Sequence, residues 1–152
     1  MRRRLSPRVT VWAEEQKFAK LAAALKRISK KILVHAGKRH GVALYLVRDG
    51  DIRRLNRRFR GKNIATTVLS FREPTGFPHP EWGAFGVYPK ERFLGEIYLA
   101  PERIREKEED PVFLLVHSML HLLGYTHEGE RDTMKMERQE RAILQRIGKK
   151  IT

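Results

Sequence analysis

The segment that most constrains this chain is Val112 to Leu123, which reads Val-Phe-Leu-Leu-Val-His-Ser-Met-Leu-His-Leu-Leu. As a helix it is apolar nearly all the way round, and a helix without a polar face has to be covered on most sides. Asp110 and Pro111 supply a cap and a first-turn residue, and Gly124 fits the position just past the end. The rest of the chain must therefore wrap this helix. At 152 residues it is long enough to bury roughly 68–70% of its unfolded surface, and one domain spanning 1–152 is the expectation.

The covering elements can be read from periodicity. Val9 to Trp12 is a short strand, and Phe18, Leu21, Ala22, Leu25, Ile28 and Ile32 recur at helical spacing between Ala13 and His35. Val42 to Val47 is a strand. Asp49-Gly50-Asp51 offers N-cap chemistry for a second helix with Ile52, Leu55 and Phe59 inward, ended by Gly61. Thr66 to Phe71 and Phe93 to Ala100 are further strands, and Pro101 opens a short charged helix. Glu130 to Ile147 is the last helix, with Met136, Ile143, Leu144 and Ile147 as its inner face. Interspersed strands and helices make an α+β fold of about four strands and five helices. Arg72 to Arg92 stands apart: it carries Pro74, Gly76, Pro78, Pro80, Gly83, Gly86 and Pro89, with Phe77, Trp82, Phe85 and Tyr88 between them. A loop this long in a small domain is usually functional or disordered, and the competing reading is a surface excursion that clips its aromatics onto the core.

Charge narrows the partners. There are 32 Lys+Arg against 18 Asp+Glu, a net charge of +14, which favours a polyanion, with RNA or DNA ahead of a membrane. Met1-Arg2-Arg3-Arg4 is followed by no apolar stretch, and the longest apolar run, Val112 to Val116, is far short of a membrane span. No signal peptide is expected and the location read from this is cytoplasmic. Cysteine is absent, which excludes disulfides and leaves histidine and carboxylate as metal ligands.

His117, His121 and His127 are three of six histidines and fall within eleven residues. His117 and His121 are one helical turn apart on one face, and Gly124 lets the chain turn back to bring His127 to them. Three imidazoles with one position open is the pattern of a catalytic zinc-type site, whose ion acidifies its water ligand and polarises a phosphoryl or carbonyl oxygen. The competing reading is a set of hydrogen-bonded core histidines; two imidazoles on an otherwise apolar helix argue against it, because each would need a buried partner. His35, His40 and His79 lie at loops and element ends and read as ordinary. The spacing approaches the metalloprotease pattern HExxHxxGxxH, but Ser118 stands where that chemistry needs a Glu to take the water proton. A phosphodiester substrate needs a cation instead, and Arg53, Arg54, Arg57, Arg58, Arg60 and Lys62 are candidates. The like-charge pairs Arg53/Arg57 and Arg54/Arg58 make sense facing an anionic backbone, or as a solvated basic face.

The stretch His117-Ser118-Met119-Leu120-His121-Leu122-Leu123-Gly124-Tyr125-Thr126-His127 resembles the C-terminal signature of the YbeY family, approximately HGxLHLxGYDH. Leu55-Asn56-Arg57-Arg58-Phe59-Arg60-Gly61-Lys62-Asn63 with Val68-Leu69-Ser70-Phe71 is similar to that family's LNxxyRgKdxpTdVLSF, and Leu94-Gly95-Glu96-Ile97 to its LGDI. The resemblance implies a mixed sheet flanked by helices, and a metal, usually zinc, held by His117, His121 and His127. It implies a single-strand-specific endoribonuclease of rRNA maturation, acting on small-subunit rRNA 3′ ends and in ribosome quality control. The arginine matching Arg60 is then important for activity, by holding a phosphate, and His117 is counted with it as catalytic. Ser118, Thr126, Ala65, Thr67 and Arg72 depart from the family wording, none of them a ligand position.

The expected protein is thus a metal-dependent endoribonuclease with one zinc ion, nickel or another divalent metal also fitting imidazole, and with RNA and the ribosome as partners. The attacking group, water or the RNA 2′-OH, is left open, as is the general base, for which Glu96 and Glu128 are candidates. Two rivals are a non-catalytic RNA-binding ribosome-assembly factor with a structural metal, and a metal hydrolase, metalloprotease-like, with another substrate. An open fourth metal position disfavours the first, since structural zinc sites are usually closed by four protein ligands. Ser118 disfavours the second.

Overall fold

Residues 41–47 are buried without exception, and the reason sets the architecture. Val42, Leu44 and Leu46 join one apolar cluster with Leu25, Ile32, Leu115, Val116, Met119 and Ile143, while Ala43, Tyr45 and Val47 join a second with Ile52, Leu55 and Tyr98. This strand is therefore sandwiched between helices, which is why it reads as a continuous apolar run rather than an alternating one.

The computed structural model describes residues 7–73, 75–76 and 93–148. The expectations placed on residues 1–4, on Pro74, on His79 and on the aromatics Phe77, Trp82, Phe85 and Tyr88 lie outside these. The strands are β1 Val9–Ala13, β2 Gly41–Leu46, β3 Val68–Phe71 and β4 Phe93–Leu99, in the order β1-β2-β4-β3. β1, β2 and β4 are parallel, and β3 runs antiparallel to β4, with Val68 opposite Leu99 and Phe71 opposite Glu96. The helices are α1 Ala19–His35, α2 Asp49–Arg60, α3 Pro101–Glu106, α4 Pro111–Leu122 and α5 Glu130–Arg146. The α+β expectation of about four strands and five helices is borne out, with four strands and five α-helices around a mixed sheet among the described residues. Residues of α1, α4 and α5 pack on one face of the sheet and residues of α2 on the other.

α4 is the covered helix. Asp110 Oδ1 accepts from the Val112 N–H at 2.9 Å, and Pro111 occupies the first turn. Its end is closed by two bonds, Tyr125 N–H to Leu120 O and Gly124 N–H to His121 O, each 3.0 Å, with Gly124 at φ +103°. That pair of bonds satisfies carbonyls the helix would otherwise orphan and reverses the chain direction. Phe113 is an exception to the all-round burial, at 44% exposed.

Three local expectations are corrected. The first helix begins at Ala19, not Ala13, because Glu14 and Glu15 are drawn to Arg48: Glu14 Oε2 accepts its N–H at 2.7 Å and Glu15 pairs with its guanidinium at 2.6 Å. A 3₁₀ turn, Gln16–Phe18, bridges to α1. The N-cap position of α2 makes no side-chain capping bond. Arg48 stands at its cap in extended backbone, and Asp49 and Asp51 sit in the first turn, where carboxylates suit the positive end of the helix dipole. Phe59 does not point into the core; it is 39% exposed and meets Phe71 edge-on at 5.3 Å.

Candidate metal centre and groove

α4 carries His117 and His121 one turn apart, and their Nε2 atoms lie 3.1 Å from each other. The reversal at Gly124 then brings His127 back, its Nε2 3.3 Å from that of His117. One ligand atom from each of the three lies within 4.8 Å of the others, a set that could hold a metal ion. His117 and His121 are half-buried and His127 is exposed, so the cluster is open to solvent on the His127 side.

The opposite ring nitrogens decide what the cluster can do. His117 Nδ1 is 2.7 Å from Glu140 Oε1, and His121 Nδ1 is 3.1 Å from the Tyr125 carbonyl oxygen. Both partners are acceptors, so both Nδ1 atoms carry the proton, which leaves two Nε2 lone pairs facing one another. Two acceptors at 3.1 Å cannot bond to each other; a cation between them resolves the conflict. Burial, and next the charge of His117, holds the His121 imidazole below the usual histidine range, towards the neutral form that a metal requires. The donor set thus fits an ion that accepts imidazole, and the carboxylate and carbonyl behind it orient the rings. The returning loop is tied in turn: Thr126 Oγ1 donates to Asp132 Oδ2 at 3.2 Å, and Thr133 Oγ1 to Gly129 O at 2.8 Å.

A groove of about 670 Å³ runs beside the cluster, and Arg60, Ser70, Phe71, Arg72, His121 and Tyr125 are among the residues that line it. Arg60 Nη2 donates to Ser70 O at 3.0 Å, and its guanidinium carbon lies 5.1 Å from the centre of the Phe71 ring. Arg72 Nη2 donates to His121 O at 3.2 Å. Each guanidinium is thereby tethered at one nitrogen, on a side chain that is exposed.

The other candidates separate. Arg53 donates to Asn63 Oδ1 at 2.9 Å and Arg54 pairs with Asp51 at 3.6 Å, while Arg58 lies over Phe59 and Arg60 lines the groove beside that ring. Glu96 is buried on the sheet face that carries α2, opposite the histidines, where its Oε1 accepts the Thr75 N–H at 2.8 Å and the Tyr98 hydroxyl at 3.3 Å. Glu128 is exposed beside His127. Ser118 is buried, on the core side of α4. Glu140, which orients His117, and Asp132, which holds Thr126, are not marked by spacing to the histidines along the chain. Glu140 had a signal, a carboxylate four residues after Met136 and three before Ile143 on the inner face of α5.

The model of the family described as Endoribonuclease YbeY matches residues 10–148. The chain belongs to the YbeY family. Relatives named Endoribonuclease YbeY include those of Rhodopseudomonas palustris, 40% identical over 115 residues, covering 70% of this chain and 57% of that protein. Those of Alkaliphilus metalliredigens and Desulfitobacterium hafniense are 35% and 39% identical over 70% of this chain, and the matches span 70% and 71% of their lengths. A solution structure of a Thermotoga maritima protein superposes with a TM-score of 0.53 at 26% identity, covering 91% of each chain. The YbeY match includes α4, the loop to His127, the end of α2 and β3, the elements that build the groove. No helix among the described residues is long and apolar enough to cross a membrane.

Proposed function

We propose that this YbeY-family chain is a metal-dependent endoribonuclease that cuts single-stranded RNA, acting in the cytoplasm on ribosomal RNA precursors at the small-subunit 3′ end and in ribosome quality control. The observation that supports the reading is a cluster of three converging imidazoles, one of which, His121, lines the same groove as the tethered Arg60. His117, His121 and His127 would hold the ion, which we assign as zinc, with nickel and other imidazole-accepting divalent ions as substitutes. Such an ion supplies Lewis-acid stabilisation of the charge on a phosphodiester.

The chain's own residues do the rest. Glu140 and the Tyr125 carbonyl fix two rings with Nε2 toward the shared centre. Arg60, held at one nitrogen by Ser70 O, presents its remaining N–H groups to a phosphate oxygen in the groove, where charge grows in the transition state. A peptidase reading lacks a base, because Ser118 occupies that position and is buried away from the groove.

The test is cleavage of an end-labelled single-stranded RNA by the native protein, a chelated sample, His117→Ala and Arg60→Ala. Cutting by the native protein, abolished by chelation and by His117→Ala and reduced about 10²-fold by Arg60→Ala, is expected. RNA binding without cutting in any sample would favour the assembly-factor reading. Equal cutting in all four would leave the mechanism without support.

A further inference from the structure

Between Glu15 and Asp49 the chain carries Lys17, Lys20, Lys26, Arg27, Lys30, Lys31, Lys38, Arg39 and Arg48 and no Asp or Glu. The end members are engaged: Lys17 pairs with Glu15 and Glu102, and Arg48 with Glu15. The six from Lys26 to Arg39 are all exposed and have no ion-pair partner among the described residues. α1 buries Ala22, Leu25, Ser29, Ile32 and Leu33, which leaves Lys26, Arg27, Lys30 and Lys31 together on its outer side. Lys26/Lys30 and Arg27/Lys31 are like-charge neighbours at i,i+4, an arrangement that destabilises the helix bearing it. The helix dipole favours cations in the last turn only, so it accounts for neither Lys26 nor Arg27. α5 is different in kind: Arg131, Lys135, Arg138 and Arg141 alternate there with Glu130, Asp132, Glu137 and Glu140. The net charge of +14 is therefore concentrated rather than spread.

Topology sets where that concentration lies. α1 leads into the start of β2, and α4 ends beside Gly95 near the start of β4, which is parallel to β2. The C-terminal half of α1 and the turn after it are thus at the same end of the sheet as His117, His121 and His127. A helix that binds a membrane surface needs its apolar face outward. The apolar face of α1 is turned into the core, and Val34 is its one large exposed apolar residue.

We propose that the outer face of α1, with Lys38 and Arg39, is a second contact surface for the RNA backbone, holding the part of the substrate that extends beyond the groove. This rests on the RNA reading above. It assigns no sequence preference, since lysine and arginine on one exposed face grip phosphates.

The test uses metal-loaded protein and two labelled RNAs, one shorter and one longer than the roughly 4–16 nucleotides that a single-strand groove usually takes. Lys26→Gln/Arg27→Gln/Lys30→Gln/Lys31→Gln is compared with Arg131→Gln/Lys135→Gln/Arg138→Gln/Arg141→Gln, which removes the same charge from α5. Binding is read by anisotropy on 2′-O-methyl strands over a range of salt, and kcat/KM on the cleavable strands. The α1 variant is expected to bind the long RNA about tenfold or more weakly, with a log-log salt slope shallower by about 3, at about 0.7 for each of four lost phosphate contacts. It should cut the short RNA as the native protein does. Equal loss in both quadruple variants would overturn the surface in favour of plain net charge, and no loss in the α1 variant would overturn it outright. Release from anionic vesicles but not from RNA would overturn it in favour of a lipid partner. Native protein that binds the long RNA through α1 yet cuts neither strand would leave the surface standing and sink the nuclease reading.

Discussion

Glu140 shows how much a single side chain can carry at this site. It is buried, it sits 2.7 Å from His117 Nδ1, and it fixes the tautomer that frees Nε2 for a metal. Replacing such a partner typically costs 10–100-fold in metal affinity. Glu140→Gln is accordingly expected to weaken zinc binding by about that factor in competition against a chelating dye, while Glu137→Gln on the exposed side of α5 leaves it unchanged. Equal affinity in native protein and Glu140→Gln would remove Glu140 from the metal's support. The histidines were legible in the sequence because their geometry is local: one helical turn, then one glycine reversal. Glu140 was not, because its 23-residue separation from His117 is closed only by the packing of α5 on α4. Arg72 was legible merely as a departure from a family pattern; its bond to His121 O depends on β3 ending beside the last turn of α4.

At the level of elements, β4 passes under α4 at a point with no room for a side chain. Gly95 has φ +153°, and a Cβ there would collide with the Phe71 carbonyl oxygen and stand 2.8 Å from Leu122 Cδ2. β3, β4 and α4 are thus brought closer than any side chain permits, at the end of the sheet that holds the groove. Gly95→Ala is expected to lower stability by about 1–3 kcal/mol, as overpacking does. In urea this would appear as a lower midpoint with an unchanged slope; an unaltered midpoint would mean that strand and helix separate at no cost. Element types came through from periodicity, since β2 and α4 are each covered on two sides and their apolar runs say so. The strand order did not. β4 lies between β2 and β3 because of pairings across more than 20 residues, which no local pattern encodes. The start of α1 was misjudged for a similar reason, the pull of Arg48 on Glu14 and Glu15 from 34 and 33 residues away.

At the scale of the molecule, the charged groups among the described residues are unevenly placed along the sheet. Glu14 and Glu15 follow β1, Asp49 and Asp51 follow β2, and Glu102, Glu106, Glu108, Glu109 and Asp110 follow β4, so carboxylates gather where the parallel strands end. The histidines, the groove and the α1 cations gather where those strands begin. At the acidic end Glu15, Asp49, Asp51, Glu102 and Glu106 are paired with Lys17, Arg48, Arg54 and Arg103, whereas the α1 cations from Lys26 to Lys31 have no such partner among the described residues, so the attraction for an anionic strand is concentrated at the end that holds the groove. The acidic end bears a cost of its own. Burial, and next the hydrogen bond and charge shared with Asp51, push the Glu14 carboxyl up to about 7. An unfolded Glu titrates near 4.3, so between about 4.3 and 7 the native state binds more protons than the unfolded one, and stability from this group falls as pH rises through that window. Glu14→Gln keeps a carbonyl oxygen for the Arg48 N–H and cannot ionise. The stability of Glu14→Gln relative to the native protein is therefore expected to rise from pH 5 to pH 8, read as a growing difference in Tm between the two proteins. A difference that stays flat across that range would mean that Glu14 is already ionised in the folded protein at pH 5, its charge absorbed by Arg48 rather than opposed by Asp51.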